Sequence, residues 1–133
     1  LLKEFKLDAY AKKYPKELSG GMRQRIALIR TYLFSKDISL LDEPFSALDA
    51  ITKDEMHDWY MNMRRKYNTS TIFITHDVDE AILLSDRIYI LGDGDIKTEI
   101  KIEASVRDNS FKLTKEFLEY KKSVIGCLES GNT

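Results

Sequence analysis

Two short apolar runs stand out in the pattern of hydrophobic and polar positions. The first covers 38–41, Ile-Ser-Leu-Leu, and the second covers 71–75, Thr-Ile-Phe-Ile-Thr. A short apolar run beside turn residues is typical of a strand that is buried on both faces. The first run is followed by Asp42 and Glu43, and the second by His76. The first run therefore predicts a buried strand and the second run, which is rich in β-forming residues, a further strand, and each is followed by polar, chemically active residues.

Apolar residues at helical spacing predict several helices around these strands. They form a loose pattern over 1–14 and clearer stripes at Met22, Ile26, Ile29 and Leu33, at Met56, Tyr60, Met63 and Tyr67, and at Leu113, Phe117, Tyr120, Val124 and Leu128. Ser19 is placed to cap the first clear helix, and Thr52 with Glu55 has the spacing of a capping box for the next. Asn68 closes that helix, and Asp77 precedes a short helix of its own.

The segment after the short helix has the pattern of a hairpin. Strand-forming residues at 87–91 and 95–102 flank Gly-Asp-Gly at 92–94, and a polar linker follows at 103–110. Strands that alternate with helices indicate an α/β fold, a mostly parallel sheet with flanking helices. The length of 133 residues fits one domain.

Composition narrows the class of protein. The net charge of −1 gives no reason to expect a nucleic-acid partner, and no apolar run approaches the roughly 18 residues of a membrane span. The single cysteine, Cys127, cannot form a disulfide within the chain, which fits a reducing, cytosolic setting. The chain starts at Leu1, inside a helical pattern, and we therefore expect it to be a piece of a longer protein.

Asp42, Glu43 and His76 are the strongest candidates for a site. In parallel sheets ligands bind beyond the carboxyl ends of the strands, and these residues follow two such ends. Two carboxylates there favour a cation, and a magnesium ion carrying a nucleotide is the natural candidate. Asp42 would hold the ion through water, Glu43 would polarise an attacking water, and His76 would contact a phosphate.

A second candidate site lies at Ser19, Gly20 and Gly21, which precede a predicted helix. A hydroxyl, two unhindered amides and the positive end of a helix dipole form an anion site. Each feature has a simpler interpretation when taken alone. Asp-Glu-Pro can be an exposed turn, Ser-Gly-Gly a cap with a tight turn, and the histidine a surface residue. Their joint order and spacing favour the site.

The four motifs together resemble those of ABC-type ATPases. The stretch 18–25, Leu-Ser-Gly-Gly-Met-Arg-Gln-Arg, is similar to the family's signature motif, and 38–43 to its Walker B motif with the adjoining glutamate. Ser46-Ala-Leu-Asp49 resembles the D-loop, and 75–77 the switch histidine. Within the family, 14–15 and 75–81 look most like importer ATPases of the nitrate, sulfonate and taurine group.

The resemblance implies roles for the residues that match its motifs. Ser19, Gly20, Gly21 and Gln24 would belong to the nucleotide-binding surface, with the first three contacting the γ-phosphate of ATP on a partner subunit. The resemblance also implies that Asp42 would support magnesium and that Glu43 would be the general base. Asp49 would communicate across the dimer, and His76 would sense the γ-phosphate. The implied cofactors are ATP and Mg²⁺.

The resemblance also implies a fold and a domain organisation. The chain would be the C-terminal portion of a P-loop-type ABC ATPase domain, with the phosphate-loop half missing. Residues 1–35 would belong to the helical subdomain, 36–102 to the α/β core, and 103–133 to a linker and a C-terminal helix. None of the six glycines lies in a Gly-x-x-x-x-Gly-Lys-[Ser/Thr] loop, so we expect these 133 residues alone to be inactive.

The implied function is ATP hydrolysis coupled to the uptake of a small solute, such as nitrate, a sulfonate or taurine. The protein would lie on the cytoplasmic face of the cell membrane as a peripheral, head-to-tail dimer beneath integral-membrane permease subunits. Two alternatives stay open at this point. One is a lobe of an ABC-type DNA-repair or chromosome ATPase, and the other is a truncated, non-catalytic binding module.

Overall fold

The computed structural model describes residues 2–3, 6–35 and 37–130. It contains four α-helices and four strands in the part of the chain that it describes. In chain order they are α1 (Gly20–Phe34), β1 (Ile38–Asp42), α2 (Ala50–Tyr67), β2 (Ser70–Ile74), α3 (Val78–Leu84), β3 (Arg87–Gly92), β4 (Asp95–Lys101) and α4 (Lys115–Ser130). The predicted α/β class is confirmed.

Two strand pairs form the described sheets. β1 and β2 are parallel, with Ile38 opposite Ser70 and Asp42 opposite Ile74. α2 connects them, as a parallel crossover requires. β3 and β4 form the predicted antiparallel hairpin. Its turn uses Asp93 and Gly94, both with positive φ (50° and 83°), which suits a tight turn between strands.

The prediction that β1 is buried on both faces is wrong. Only Ser39 is fully buried in this strand, while the side chains of Ile38 and Leu40 are 57% and 72% exposed. Ile72 and Ile74 on β2 are 59% and 58% exposed. The apolar run does form a strand, but no described element covers the face of the sheet that carries Ile38 and Leu40.

α1 begins where the sequence predicts, because the Ser19 hydroxyl accepts a hydrogen bond from the Met22 amide at 3.2 Å. The predicted apolar stripe of this helix is only partly buried. Leu28 and Ile29 face the core, whereas Leu33 is 60% exposed. The stripe is rotated because α1 packs on α2 through the Leu28 side of the helix.

α2 begins one turn earlier than the predicted capping box. Its N-cap is Asp49, whose carboxylate accepts from the Thr52 amide at 3.0 Å, so Thr52 lies inside the helix rather than capping it. The predicted buried stripe holds for Met56, Tyr60 and Met63. Asn68 ends the helix in the left-handed conformation, as expected for that residue type.

The described residues of the N-terminal segment do not form the helix suggested by its apolar pattern. Among its described residues, Lys6 has φ of 55°, which interrupts a right-handed helix, and only a short 3₁₀ turn follows at Asp8–Tyr10. Leu7 still anchors the segment, with 1% exposure. The predictions for residues 1, 4 and 5 lie outside the described residues.

The core lies between α2, α3, α4 and the inner face of the hairpin. Its most buried members include Phe45, Met56, Ile82, Leu83, Leu84, Phe111, Phe117 and Val124. At the C-terminus, Leu113 is 90% exposed although the pattern placed it on the buried stripe of α4. It precedes the helix, in a 3₁₀ turn at Asn109–Leu113. No helix in the described ranges combines the length and the apolar character needed to cross a bilayer.

Candidate functional site

A strained turn follows β1. Glu43 has φ of 47°, in the left-handed region that is unusual for a residue other than glycine. Such a conformation persists only where its surroundings hold it. The Glu43 amide donates to the carbonyl of Ile74 at 2.8 Å, and the Ser46 hydroxyl donates to the Glu43 carbonyl at 3.1 Å. These two hydrogen bonds hold the Glu43 backbone in this conformation.

His76 meets Glu43 at the end of the strand pair. Nδ1 of the imidazole lies 2.8 Å from Oε1 of the carboxylate. The hydrogen bond with Glu43, together with its negative charge, raises the pKa of His76 above its ordinary value. The Glu43 side chain is 32% exposed and that of His76 is 79% exposed, so both remain accessible to a ligand. The structure thus brings together two residues that the sequence placed at one edge.

Asp42 adds a second carboxylate at the same edge. It is the last residue of β1, is exposed, and lies opposite Ile74 of β2. Carboxylate oxygens suit a hard cation such as Mg²⁺. Throughout the described residues, however, no group of three or more His, Cys, Asp and Glu could hold a metal ion. A magnesium ion at Asp42 would therefore take most of its ligands from nucleotide phosphates and water, as this ion commonly does.

Ser19, Gly20 and Gly21 form a separate group at the N-terminus of α1. Ser19 and Gly20 are exposed and Gly21 is buried. A Cβ added at Gly21 would lie 3.0 Å from Cγ2 of Thr52, and one at Gly20 would lie 3.7 Å from a Leu48 methyl carbon. The start of α1 is therefore packed closely against the start of α2. No described hydrogen bond joins this group to Glu43 or His76.

Gln24 and Asp49 are engaged in contacts within the chain. The Gln24 amide donates to the carbonyl of Pro44, next to Glu43. The Asp49 carboxylate accepts from the Thr52 amide and also from the Thr52 hydroxyl at 2.6 Å. The hydroxyl hydrogen bond is the main cause of a lowered pKa at Asp49. In this structure Gln24 thus contacts the turn that follows Glu43, and Asp49 caps α2.

Sequence reasoning missed a polar cluster between α2 and α3. Nε2 of His57 lies 3.0 Å from Oε1 of Glu80, and the two residues are 1% and 2% exposed. Lys53 donates to Asp77 at 3.2 Å. One signal was available in the sequence, since Lys53 and His57 are polar residues four apart on the buried side of a helix.

Known proteins with related sequences identify the family. A sequence model described as "ABC transporter" matches residues 1–46. The chain is 42% identical over 126 residues to the aliphatic sulfonates import ATP-binding protein SsuB of Bacillus cereus, covering 95% of this chain and 50% of the relative. It is 35% identical over 133 residues to the nitrate import ATP-binding protein NrtD of Synechocystis, covering 93% of this chain and 50% of the relative. The chain belongs to the ABC transporter ATP-binding family.

Solved structures agree with this assignment. An inward-facing metal-chelate type ABC transporter superposes with a TM-score of 0.67 at 25% identity, covering 92% of this chain and 45% of that one. A dimeric ATP-binding cassette in a post-hydrolysis state, bound to ADP and Pi, superposes with a TM-score of 0.60 at 31% identity. The match covers 77% of this chain and 44% of that one. The resemblance to ABC ATPases is therefore confirmed, and this ABC chain spans about half the length of the curated relatives above.

Proposed function

We propose that this chain supplies the signature, Walker B, D-loop and switch-histidine segments of the ATP-hydrolysing subunit of an ABC importer. The observation that carries the proposal is the contact between Glu43 and His76 at the ends of two parallel strands. A carboxylate held by an imidazole at this position of an α/β sheet is suited to activating water beside a bound phosphate.

Glu43 is the general base in this proposal. Its strained backbone and its contact with His76 fix one carboxylate oxygen, and the other is available to accept a proton from water. Because Nδ1 of His76 is used by Glu43, Nε2 is the ring nitrogen that would contact the γ-phosphate. Asp42 would hold Mg²⁺ through water, and this ion would neutralise charge on the phosphates of ATP.

The signature residues would act on a second copy of the subunit. Ser19, Gly20 and Gly21 lie at a helix N-terminus, which suits the phosphates of a nucleotide bound to the partner. The solved cassette bound to ADP and Pi is dimeric, which supports this arrangement. The 133 residues contain no phosphate loop, so we propose that the nucleotide cradle comes from chain outside them.

The same proposal divides the chain by role. Residues 1–35 would form part of the helical subdomain, 36–102 part of the α/β core, and 103–133 the C-terminal segment. Gln24 and Asp49 would belong to the nucleotide-binding surface, with Asp49 communicating across the dimer.

The names of the relatives favour import over DNA repair. They are import ATP-binding proteins, for aliphatic sulfonates in the case of SsuB and for nitrate in the case of NrtD. We therefore propose that the full-length protein is a peripheral dimer on the cytoplasmic face of the membrane. It would drive permease subunits that take up a small solute of this kind.

ATP hydrolysis by the full-length protein tests the proposal. Glu43→Gln keeps the size of the side chain and removes the base, so we expect steady-state hydrolysis to fall by about 10²-fold or more while ATP still binds. Glu55→Gln, an exposed change on α2, is the matched control and should leave the rate unchanged. Substantial hydrolysis by Glu43→Gln would contradict the role of Glu43, and no hydrolysis by the wild type would contradict the proposed function.

A further inference from the structure

Two residues of α2 contact the first turn of α3. Lys53 and His57 lie four positions apart, so they project from the same side of α2. Lys53 donates to Oδ2 of Asp77, the N-cap of α3, and His57 contacts Glu80 one turn further on. These contacts join the helix that follows the D-loop to the helix that follows the switch histidine.

The His57–Glu80 contact is the more deeply buried of the two. Both side chains are 2% exposed, and the ring of Phe45 packs edge-on against the imidazole with 5.0 Å between centroids. A buried carboxylate without a hydrogen-bond donor is costly. With Nε2 protonated, His57 donates to the Glu80 carboxylate and offsets this cost, so the contact favours this placement of α3 on α2.

Asp77 links His76, its neighbour in the chain, to both helices. One carboxylate oxygen of Asp77 accepts from the Glu80 amide at 3.1 Å, and the other accepts from Lys53 at 3.2 Å. Asp77 also donates its amide to the Thr75 hydroxyl at 3.1 Å. The two neighbours of His76 are thus joined to each other through the Thr75 hydroxyl, and Asp77 links them to the first turn of α3 and to α2.

We propose that His57 is a positioning residue for the reaction. Its hydrogen bond to Glu80, together with the Lys53–Asp77 pair, holds the first turn of α3 on α2 and so holds His76 against Glu43. This inference rests on the proposed function in so far as Glu43 and His76 act on ATP. Since Asp49 caps α2, the same contacts connect the D-loop to the switch histidine within one subunit.

The test uses the full-length protein with His57→Leu and His57→Gln. The leucine variant removes the donor, whereas the glutamine amide can still donate to Glu80. For His57→Leu we expect a fall of about 10- to 100-fold in kcat with the KM for ATP changed less than about twofold, because His76 is misplaced rather than the nucleotide site lost. His57→Gln should retain most of kcat.

A second measurement is independent of activity. The Glu80 and Ala81 amides donate to Asp77 in the first turn of α3, so their hydrogen exchange reports whether this turn is held. We expect faster exchange of these amides in His57→Leu by about tenfold and near wild-type exchange in His57→Gln. Unchanged exchange and unchanged kcat in His57→Leu would overturn the inference.

Two further variants separate positioning from general stability. Lys121→Met removes an ion pair to Asp79 in the same turn of α3, but from α4, and should leave kcat unchanged. If His57→Leu does not fold, the double variant His57→Leu/Glu80→Met removes both polar partners and leaves no orphaned charge. It should fold and still show the lower kcat. A normal kcat in the double variant, or an equal loss in Lys121→Met, would overturn the inference.

The outcomes also distinguish the inference from the proposed function. If hydrolysis depends on Glu43 while the His57 variants behave as wild type, only the inference fails. If the protein hydrolyses no ATP but exchange in α3 responds to His57, the proposed function fails and only the contact between α2 and α3 stands.

Discussion

Glu43 and His76 contact each other across the end of the parallel strand pair, with Oε1 and Nδ1 2.8 Å apart although the two residues are 33 positions apart in the chain. β1 ends at Asp42 opposite Ile74 of β2, so the residues that follow the two strands leave the sheet side by side. The contact depends on the parallel register, and it raises the pKa of His76 and so favours protonation of the imidazole.

The first prediction concerns that protonation. Because hydrogen bonding and charge from Glu43 raise the pKa of His76, we expect its imidazole to titrate with a midpoint above 6.5. The contact therefore contributes stability fully below pH 6.5, and this contribution is lost as the pH rises through the raised pKa. NMR of histidine-labelled protein measures the midpoint, with the His76 signal assigned by its loss in His76→Asn.

Glu43→Gln provides the control for this titration. The amide lacks the negative charge, so the midpoint of His76 should move back towards 6.5. A wild-type midpoint at or below 6.5, or one that does not respond to Glu43→Gln, would show that the contact does not persist in solution.

The second prediction separates two roles of Asp49. Its carboxylate caps α2 through Thr52, and the same residue is proposed to act across the dimer. Asp49→Ala should lower the melting temperature by a few degrees because the cap is lost. Asp49→Asn should melt near the wild-type temperature, since asparagine caps as well as aspartate. Circular dichroism during heating measures both.

The hydrolysis rate then reports the second role. In the full-length dimer, Asp49→Asn should still hydrolyse ATP more slowly than the wild type, because it lacks the charge while keeping the cap. Equal rates for Asp49→Asn and wild type would mean that Asp49 acts only as a helix cap.

Local signals in the sequence were enough to predict most element boundaries. Ser19 and Asp77 cap the helices that follow them, Asn68 ends α2, and the 92–94 turn joins two strands. Each of these depends on a side chain bonding to its own backbone or on a turn conformation, and such interactions involve residues close together in the chain. The meeting of Glu43 and His76 was also predictable, because parallel strands place their ends together.

The failures share a physical cause. Apolar spacing shows which residues can be buried but not which element covers them, so Leu40 was predicted as buried and is 72% exposed. Two caps compete at the start of α2, and Asp49 begins the helix before Thr52 can. The His57–Glu80 pair joins residues 23 apart on two helices, so only tertiary packing reveals it.

The third prediction concerns Asp86, which joins three parts of the chain. Arg64 of α2 and Arg107 of the C-terminal segment both bind its carboxylate, which lies between α3 and β3. Burial acts to raise the pKa of Asp86, but the two guanidinium groups outweigh it and the pKa is lowered from 3.8. Stability from these pairs is therefore present above pH 3.8 and is lost as the pH falls through the lowered pKa.

Asp86→Asn should accordingly reduce the melting temperature at neutral pH by about 2–5 °C, since the pairs are partly exposed. The difference from wild type should vanish in acid, where the wild-type carboxylate is protonated too. Glu119→Gln, an exposed change on α4, should show no such pH dependence. A difference between Asp86→Asn and wild type that is constant over the pH range would exclude this electrostatic origin.

The last prediction concerns the exposed apolar face of the parallel strand pair. Leu40 and Ile72 are register partners on β1 and β2, and their side chains are 72% and 59% exposed. In the part of the chain that the structure describes, β1 pairs only with β2, so the outer edges of this sheet are also unpaired. Exposed apolar faces and free edges promote association.

We expect the 133-residue chain on its own to self-associate as its concentration rises, and Leu40→Lys with Ile72→Glu to suppress this. The new lysine and glutamate would replace the apolar contact with charged side chains. They would face each other as register partners, where a pair of opposite charges is compatible with the sheet. Sedimentation velocity over a concentration series measures the association. Leu118→Lys, a charge placed on the exposed side of α4, is the matched control and should leave it unchanged. A chain that stays monomeric throughout, or association that survives the sheet variant, would show that this face is not the one that associates.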